Sequence, residues 1–199
     1  ACCNDLFSFA MPVPEKPTVL IADSSAMPAM VPKTPELPQV VEAPAITPLH
    51  PLEDFKGLPL YFDNDEPDKR TRKTSTQRTY DETVQAYLER QREYRNRFIT
   101  GMKDQQIDSA EQLMDDFFET EVRRGGDRLS QLCDFMLERL QKGQGLEVIV
   151  KGYTSPRAER DYNLNLAKRR ISSVRNQFDT FSDGVFQPYL REGKLKISE

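Results

Sequence analysis

The chain has 199 residues, of which 37% are hydrophobic and none is tryptophan, so we expect one domain of ordinary size with a tail. Its formal net charge of −4 excludes the overall basic balance of a nucleic-acid-binding protein, and an anionic partner would need a local basic patch. No apolar run reaches the roughly 18 residues that cross a bilayer, which excludes a membrane-spanning helix within this sequence.

Three cysteines stand at positions 2, 3 and 133, a spacing that forms neither a zinc site nor a disulfide framework. Cys133 lies in a helical pattern of apolar residues and is expected to be a small buried hydrophobe. Cys2 follows a single alanine, as in the junction left when a bacterial lipoprotein signal is cleaved and the cysteine acylated. This pattern predicts lipidation of Cys2, with an arbitrary chain start as the alternative. Acylation would anchor the protein to a membrane without a crossing helix.

Proline divides the chain by composition, since 11 of its 14 prolines lie in residues 1–60. Proline removes backbone donors and holds the chain near polyproline geometry, which disfavours a packed core. We therefore predict a proline-rich extended tether over residues 1–54 and a folded domain over residues 55–199.

The folded domain is predicted to open with a strand in the sequence GLPLYFDNDEPD, residues 57–68. Leu58, Leu60 and Phe62 alternate as one face of that strand, and a polar turn closed by Pro67 follows. Acidic residues of this turn could indicate a calcium loop, but the glycine and terminal glutamate spacing of an EF-hand is missing. We expect no metal here.

Residues 79–142 have the apolar periodicity of three helices. Thr79 is expected to cap the first, with Glu82 three residues later completing a capping box. The acidic run over residues 104–121, with seven Asp or Glu and no Lys or Arg, is predicted to be a solvated helix face.

Two further strands are predicted, over residues 146–150 and 194–198, with a helix over residues 161–181 between them. The order is strand, helices, strand, helix, strand, which predicts an α+β sandwich with helices on one face of a small sheet. The last helix is expected to bury one continuous stripe of residues, Leu164, Ala167, Ile171, Val174 and Phe178.

Positive charge is concentrated after the second strand, where residues 151–175 contain seven Lys or Arg. Helix arginines are usually solvated and contribute little to stability. Arg170 differs because it adjoins Ile171 on the flank of the predicted stripe, where packing would hold it. A positioned guanidinium suits a carboxylate ligand.

Residues 148–174 read VIVKGYTSPRAERDYNLNLAKRRISSV and resemble the core of the OmpA-like C-terminal domain. That family shows a strand ending in GHTD and then a helix with the pattern YNxxLSxxRAxxV. Gly152–Ser155 stands at the place of GHTD, and Tyr162-Asn163, Leu166, Arg170 and Val174 fall at the matching spacing. The sequence LPLYFDND also resembles the family's opening strand. The helical insert over residues 79–142 exceeds the usual pattern and looks like the variant of Bacteroidota envelope proteins.

The resemblance implies a fold of strand, helix, strand, helix and strand, and a ligand, the diaminopimelate-containing stem peptide of peptidoglycan. In the family, the helix arginine binds a diaminopimelate carboxylate and the aspartate of GHTD binds its ammonium. Arg170 keeps the first role, while Ser155 replaces the aspartate. The implied pocket comprises Asp63, Asp65, Thr154, Ser155, Asn163 and Arg170, with Asp63 and Asp65 as replacements for the missing charge. Because the family continues into another strand, we also expect this sequence to be truncated at its C-terminus.

These expectations describe a non-enzymatic lipoprotein on the periplasmic side of the outer membrane, which anchors an outer-membrane component to peptidoglycan. No nucleophile stands beside a base, and we expect neither catalysis nor a cofactor. The alternative is a protein interaction module of an outer-membrane secretion or assembly complex that has lost peptidoglycan binding. A nucleic-acid partner is disfavoured, because the chain is acidic and no aromatic platform adjoins the arginines.

Overall fold

The structure is a computed structural model that describes residues 55–156 and 158–199. The predicted tether over residues 1–54 and the predicted lipidation at Cys2 lie outside the described residues. None of the described helices is long and apolar enough to cross a membrane.

Helices occupy most of the chain between residues 80 and 141. They are α1 (Tyr80–Glu89), α2 (Gln91–Ile99), α3 (Asp104–Phe117) and α4 (Arg124–Gln141), with a π-helical segment, Phe118–Arg123, between α3 and α4. The capping box predicted at Thr79 is confirmed, since its side chain accepts from the Glu82 amide and the Glu82 side chain accepts from the Thr79 amide. The predicted first helix is divided at Arg90 into α1 and α2.

The predicted strands after the helices are confirmed as β1 (Leu146–Ile149) and β2 (Leu195–Ser198). They pair in parallel, with Leu146 opposite Leu195, and are connected by α5 (Arg160–Thr180), a 3₁₀ turn (Phe181–Gly184) and α6 (Gln187–Arg191). A parallel pair needs a crossover of this kind because its strands run in the same direction. The described chain is therefore mixed helix and strand, an α+β arrangement.

The strand predicted over residues 58–62 is wrong, although most of its side chains are buried as expected. Pro59 offers no N–H for a ladder, and its carbonyl lies so close to Gly125 of α4 that a Cβ there would be 3.0 Å from it. The amide of Tyr61 donates instead to the hydroxyl of Tyr80 at 3.3 Å. This segment thus packs against helices, and within the described residues the sheet has two strands.

The buried stripe predicted along α5 is correct only in its C-terminal half. Ile171, Val174 and Phe178 are buried, but Leu164 is 53% exposed. Leu166, Arg169, Arg170 and Ser173 are buried on the helix as well. The buried face of α5 is therefore rotated from the one that the apolar residues alone indicate.

The core lies between the helices and β1. Tyr87 of α1 meets Phe118 edge to face at 5.0 Å between ring centroids, and Phe62 meets Tyr80 at 5.2 Å. Other fully buried members come from α4, β1 and α5, among them Leu132, Met136, Val148, Val174 and Phe178. This packing fixes β1 and the C-terminal half of α5, between which the predicted site lies in sequence.

Candidate functional site

The predicted ligand residues lie where three parts of the chain meet: the 63–73 loop, the segment after β1, and the N-terminal half of α5. Arg170 joins all three. Its guanidinium donates hydrogen bonds to three main-chain carbonyls, those of Glu66 at 3.0 Å, Asp63 at 3.2 Å and Tyr153 at 3.3 Å.

Arg170 is only 1% exposed, and its guanidinium lies 5.3 Å from the ring centroid of Phe62. A buried cation needs acceptors around it, because losing water without replacement is costly. Here those acceptors include carbonyls of its own domain. The side chain expected to bind a ligand carboxylate is therefore enclosed and hydrogen-bonded within the protein.

Arg169 is buried beside it and holds the other half of the same loop. Its Nε donates to the carbonyl of Pro67 at 3.0 Å, and its Nη1 donates to the carbonyls of Thr71 and Lys73 at 2.8 and 3.0 Å. Its Nη2 lies 3.6 Å from a carboxylate oxygen of Asp65. The two arginines thus fix the 63–73 loop by its main chain.

Arg169 is not among the site residues predicted from the sequence. One signal for it exists, since Arg169 follows Leu166 by three residues and precedes Ser173 by four, a spacing that places all three on one helical face. A charged residue on a buried face is unusual unless it is paired. That signal becomes visible only once Leu166, rather than Leu164, is known to be buried.

Asp63 is a buried carboxylate that accepts hydrogen bonds from the start of α2 and from its own loop. Its side chain accepts hydrogen bonds from the Tyr94 hydroxyl, the Arg90 guanidinium, Lys69 at 3.2 Å and the Asn64 amide at 2.6 Å. Burial alone would raise the pKa of the Asp63 carboxyl, but these hydrogen bonds outweigh burial and hold that pKa below its ordinary value. Asp63 is therefore ionised and neutralised internally.

Asp65 is likewise engaged within the chain. Its carboxylate accepts hydrogen bonds from the Tyr162 hydroxyl and, at 2.8 Å, from the Arg70 amide, and it faces Arg169. Burial and the hydrogen bond to Asp65 raise the pKa of the Tyr162 hydroxyl. The two acidic residues predicted to attract a ligand ammonium thus already meet cations and donors of this protein.

The three polar residues of the predicted pocket are less closely connected. Thr154 and Ser155 are half-buried in the segment after β1, and among the described residues neither side chain forms a hydrogen bond. Asn163 lies on α5, where its side-chain amide donates to the carbonyl of Ala158 at 3.0 Å. Of the predicted residues, the structure therefore joins Asp63 and Arg170 directly, places Asp65 beside them, and gives Asn163 a separate local role.

Two large apolar side chains are exposed on the segments that carry the predicted ligand residues. Tyr153 is 48% exposed, and Leu164 is exposed on the first turns of α5. Gly152 packs on Ala167, one turn beyond Leu164, where an added Cβ would lie 2.9 Å from the Ala167 carbonyl oxygen. We call these two side chains the Tyr153–Leu164 surface, and exposed Lys168 adjoins Ala167 in the helix.

A cavity of about 140 Å³ lies elsewhere, between α1, α4 and α5. Cys133 is among its lining residues, and burial raises the pKa of that thiol well above its ordinary value. Such a thiol remains protonated and is a poor nucleophile. Within the described ranges, no group of three or more His, Cys, Asp or Glu residues is arranged to hold a metal ion.

No protein-family model, no curated protein and no solved structure matches this chain.

Proposed function

We propose that this chain is a non-enzymatic binding module of the bacterial cell envelope, an OmpA-like domain that docks onto protein partners in an outer-membrane secretion or assembly complex. The motif of residues 148–174 supports the domain type, as does the order β1, α5, β2 around it. Lipidation at Cys2 and a position on the periplasmic side of the outer membrane belong to the same proposal.

One observation carries the choice of docking over peptidoglycan anchoring: the charged groups of the implied pocket are used by the fold. Arg170 is buried and donates to carbonyls of Asp63, Glu66 and Tyr153, while Asp63 is neutralised by Arg90 and its neighbours. A diaminopimelate zwitterion would have to replace these internal bonds, and breaking them would offset its own binding energy.

The Tyr153–Leu164 surface supports a protein partner. Tyr153 and Leu164 are exposed on two segments that the approach of Gly152 to Ala167 holds together, and exposed Lys168 follows Ala167 in α5. Aromatic and aliphatic side chains with charged residues around them are typical of a protein interface. Tyrosine is enriched among the residues that dominate binding energies. We assign the docking contact to this surface.

The non-enzymatic part of the proposal rests on the available nucleophiles and bases. Burial raises the pKa of the Cys133 thiol, which weighs against acyl transfer by this thiol.

Peptidoglycan anchoring is the second candidate, and one observation favours it. Asp63 and Arg170 meet each other and the segment containing Thr154 and Ser155, as the family resemblance implies for a ligand pocket. An opening of the 63–73 loop would expose the Arg170 guanidinium to a carboxylate ligand.

Sedimentation with purified sacculi separates the two candidates. We expect the wild-type chain to stay in the supernatant, because Arg170 is enclosed. Ser155→Asp restores the family's aspartate and serves as the matched comparison. If only the variant pellets, the wild-type pocket has the family's shape but does not bind peptidoglycan, which supports docking. Pelleting of wild type, reversed by a diaminopimelate-containing stem peptide, would establish peptidoglycan anchoring instead.

Photo-crosslinking in the native envelope tests the docking surface itself. A photoreactive residue at Leu164 should crosslink to one defined envelope protein, and Tyr153→Ala should abolish that product. Leu113, which is exposed on α3, provides the control position. Equal crosslinking from positions 164 and 113 would contradict docking through the Tyr153–Leu164 surface.

A further inference from the structure

The 63–73 loop has a charge pattern that the proposed docking function leaves unused. Residues 69–73 read KRTRK, four cations in five residues, and follow a stretch with four carboxylates, Asp63, Asp65, Glu66 and Asp68. The formal charges of residues 63–73 therefore sum to zero. In the structure, however, the carboxylates and most of the cations of this loop do not pair with each other.

The acidic side chains are neutralised largely by cations from other parts of the chain. Asp63 pairs with Arg90, Glu66 pairs with Arg78 at 3.2 Å, and Asp65 lies 3.6 Å from Arg169. Within the loop, Lys69 also pairs with Asp63 at 3.2 Å and with Glu66 at 3.5 Å. Among the described residues, the other three cations of the loop, Arg70, Arg72 and Lys73, pair with none of its carboxylates.

All four cations of the loop are exposed, and we call the three that do not pair with its carboxylates, Arg70, Arg72 and Lys73, the basic surface. The Arg72 side chain is 76% exposed, and its one ion pair, with Glu159 at 3.6 Å, joins two solvated side chains and holds it weakly. Among the described residues, the side chains of Arg70 and Lys73 form no ion pair.

The main chain beneath the basic surface is fixed. Arg169 holds the carbonyls of Thr71 and Lys73, the Arg70 amide donates to Asp65 at 2.8 Å, and the Lys73 amide donates to the Thr71 hydroxyl at 3.2 Å. The three cations therefore project from a preorganised backbone, which lowers the entropy cost of binding.

We propose that the basic surface binds the anionic headgroups of a phospholipid membrane. Residues 69–76 contain no apolar side chain, and a stable protein interface needs an apolar core. They also contain no aromatic platform for nucleic-acid bases. A bilayer surface requires neither, since it presents many phosphates in one plane and attracts each nearby Lys or Arg. This inference is independent of the Tyr153–Leu164 surface.

Vesicle co-sedimentation of the full, unacylated 199-residue chain tests the proposal. Vesicles contain phosphatidylcholine with about one third phosphatidylglycerol, or phosphatidylcholine alone. We expect binding to the anionic vesicles only, weakening strongly between about 0.1 and 0.5 M NaCl because salt screens exposed charges. Arg70→Gln, Arg72→Gln and Lys73→Gln combined should reduce partitioning on the order of a hundredfold, at about fivefold per cation.

The matched control removes three exposed cations elsewhere: Arg92→Gln, Lys103→Gln and Arg191→Gln. It should retain most of the binding. The single variant Arg72→Gln changes only a solvated side chain, keeps the fold, and should still lose about fivefold.

Several results would overturn the proposal. Equal losses in the two triple variants would show an effect of net charge alone. Displacement by soluble inorganic phosphate at matched concentration would indicate a small anion site, and tighter binding of a single-stranded oligonucleotide that competes with vesicles would indicate nucleic acid.

Discussion

Helices α2 and α5 are both rich in arginine, yet they use it in opposite ways. α2 places Arg92, Arg95 and Arg97 within nine residues and buries no side chain at all. α5 buries Arg169 and Arg170 completely. The difference lies in what covers each helix, since the 63–73 loop presents main-chain carbonyls to α5.

An arginine becomes a structural anchor when hydrogen-bond acceptors surround its guanidinium. Carbonyls of a loop are good partners for the planar guanidinium, because its five donors can reach several oxygens at once. On α2, Arg95 and Arg97 pair with carboxylates instead, as Arg95 does with Asp115 at 3.1 Å. Such half-exposed pairs leave the helix surface solvated.

The largest expected effect comes from breaking the α5 anchor. Arg170→Ala should lower the free energy of unfolding by about 3–5 kcal/mol, because it leaves buried carbonyls without donors. Arg170→Lys should recover only part of this loss, since lysine lacks the guanidinium fork. Urea unfolding followed by circular dichroism measures both.

Arg92→Ala on α2 is the matched control, with an expected change within about 0.5 kcal/mol. A similar cost for the two alanine variants would mean that burial does not distinguish these arginines.

A smaller effect is expected at Asp63, which connects the two helical regions through Arg90. Asp63→Asn should cost about 2–3 kcal/mol at neutral pH, because it removes the acceptor of several charged hydrogen bonds. The folded protein holds the pKa of Asp63 below its ordinary 3.8, so this stabilisation is present above that value and is lost as pH falls through the lower, folded pKa.

The stability difference between wild type and Asp63→Asn should therefore narrow as pH falls below about 4. Denaturant titrations at several pH values measure that difference. If the difference in unfolding free energy stays constant down to the pH of acid unfolding, ionised Asp63 is not the cause of that difference.

The smallest of the three effects concerns how closely α5 lies against the chain after β1. Gly152→Ala places a Cβ 2.9 Å from the Ala167 carbonyl oxygen and should cost about 1–2 kcal/mol by overpacking. At Gly145 the nearest atom to an added Cβ, the Lys194 carbonyl oxygen, is 3.6 Å away, so Gly145→Ala is the control. Thermal melting compares the two variants. Equal melting temperatures would show that α5 can move away from residue 152 without loss of stability.

Much of the secondary structure could be predicted from local pattern. The capping box at Thr79 needs only residues three apart, and the periodicities of β1, α5 and β2 are visible within a few turns or pleats. The strand over residues 58–62 failed, because an alternating pattern cannot reveal that α4 and Tyr80 will cover that backbone.

The candidate site, too, could be predicted from the sequence only in part. The helical spacing placed Arg170 beside the buried stripe, and it is indeed buried. Local patterns in the sequence suffice to predict the helix, the strands on either side of it, and the abundance of cations around them. Which of these cations are anchors and which face solvent depends on long-range contacts, because the carbonyl that binds Arg169 belongs to Pro67, 102 residues away, and no local pattern encodes that contact.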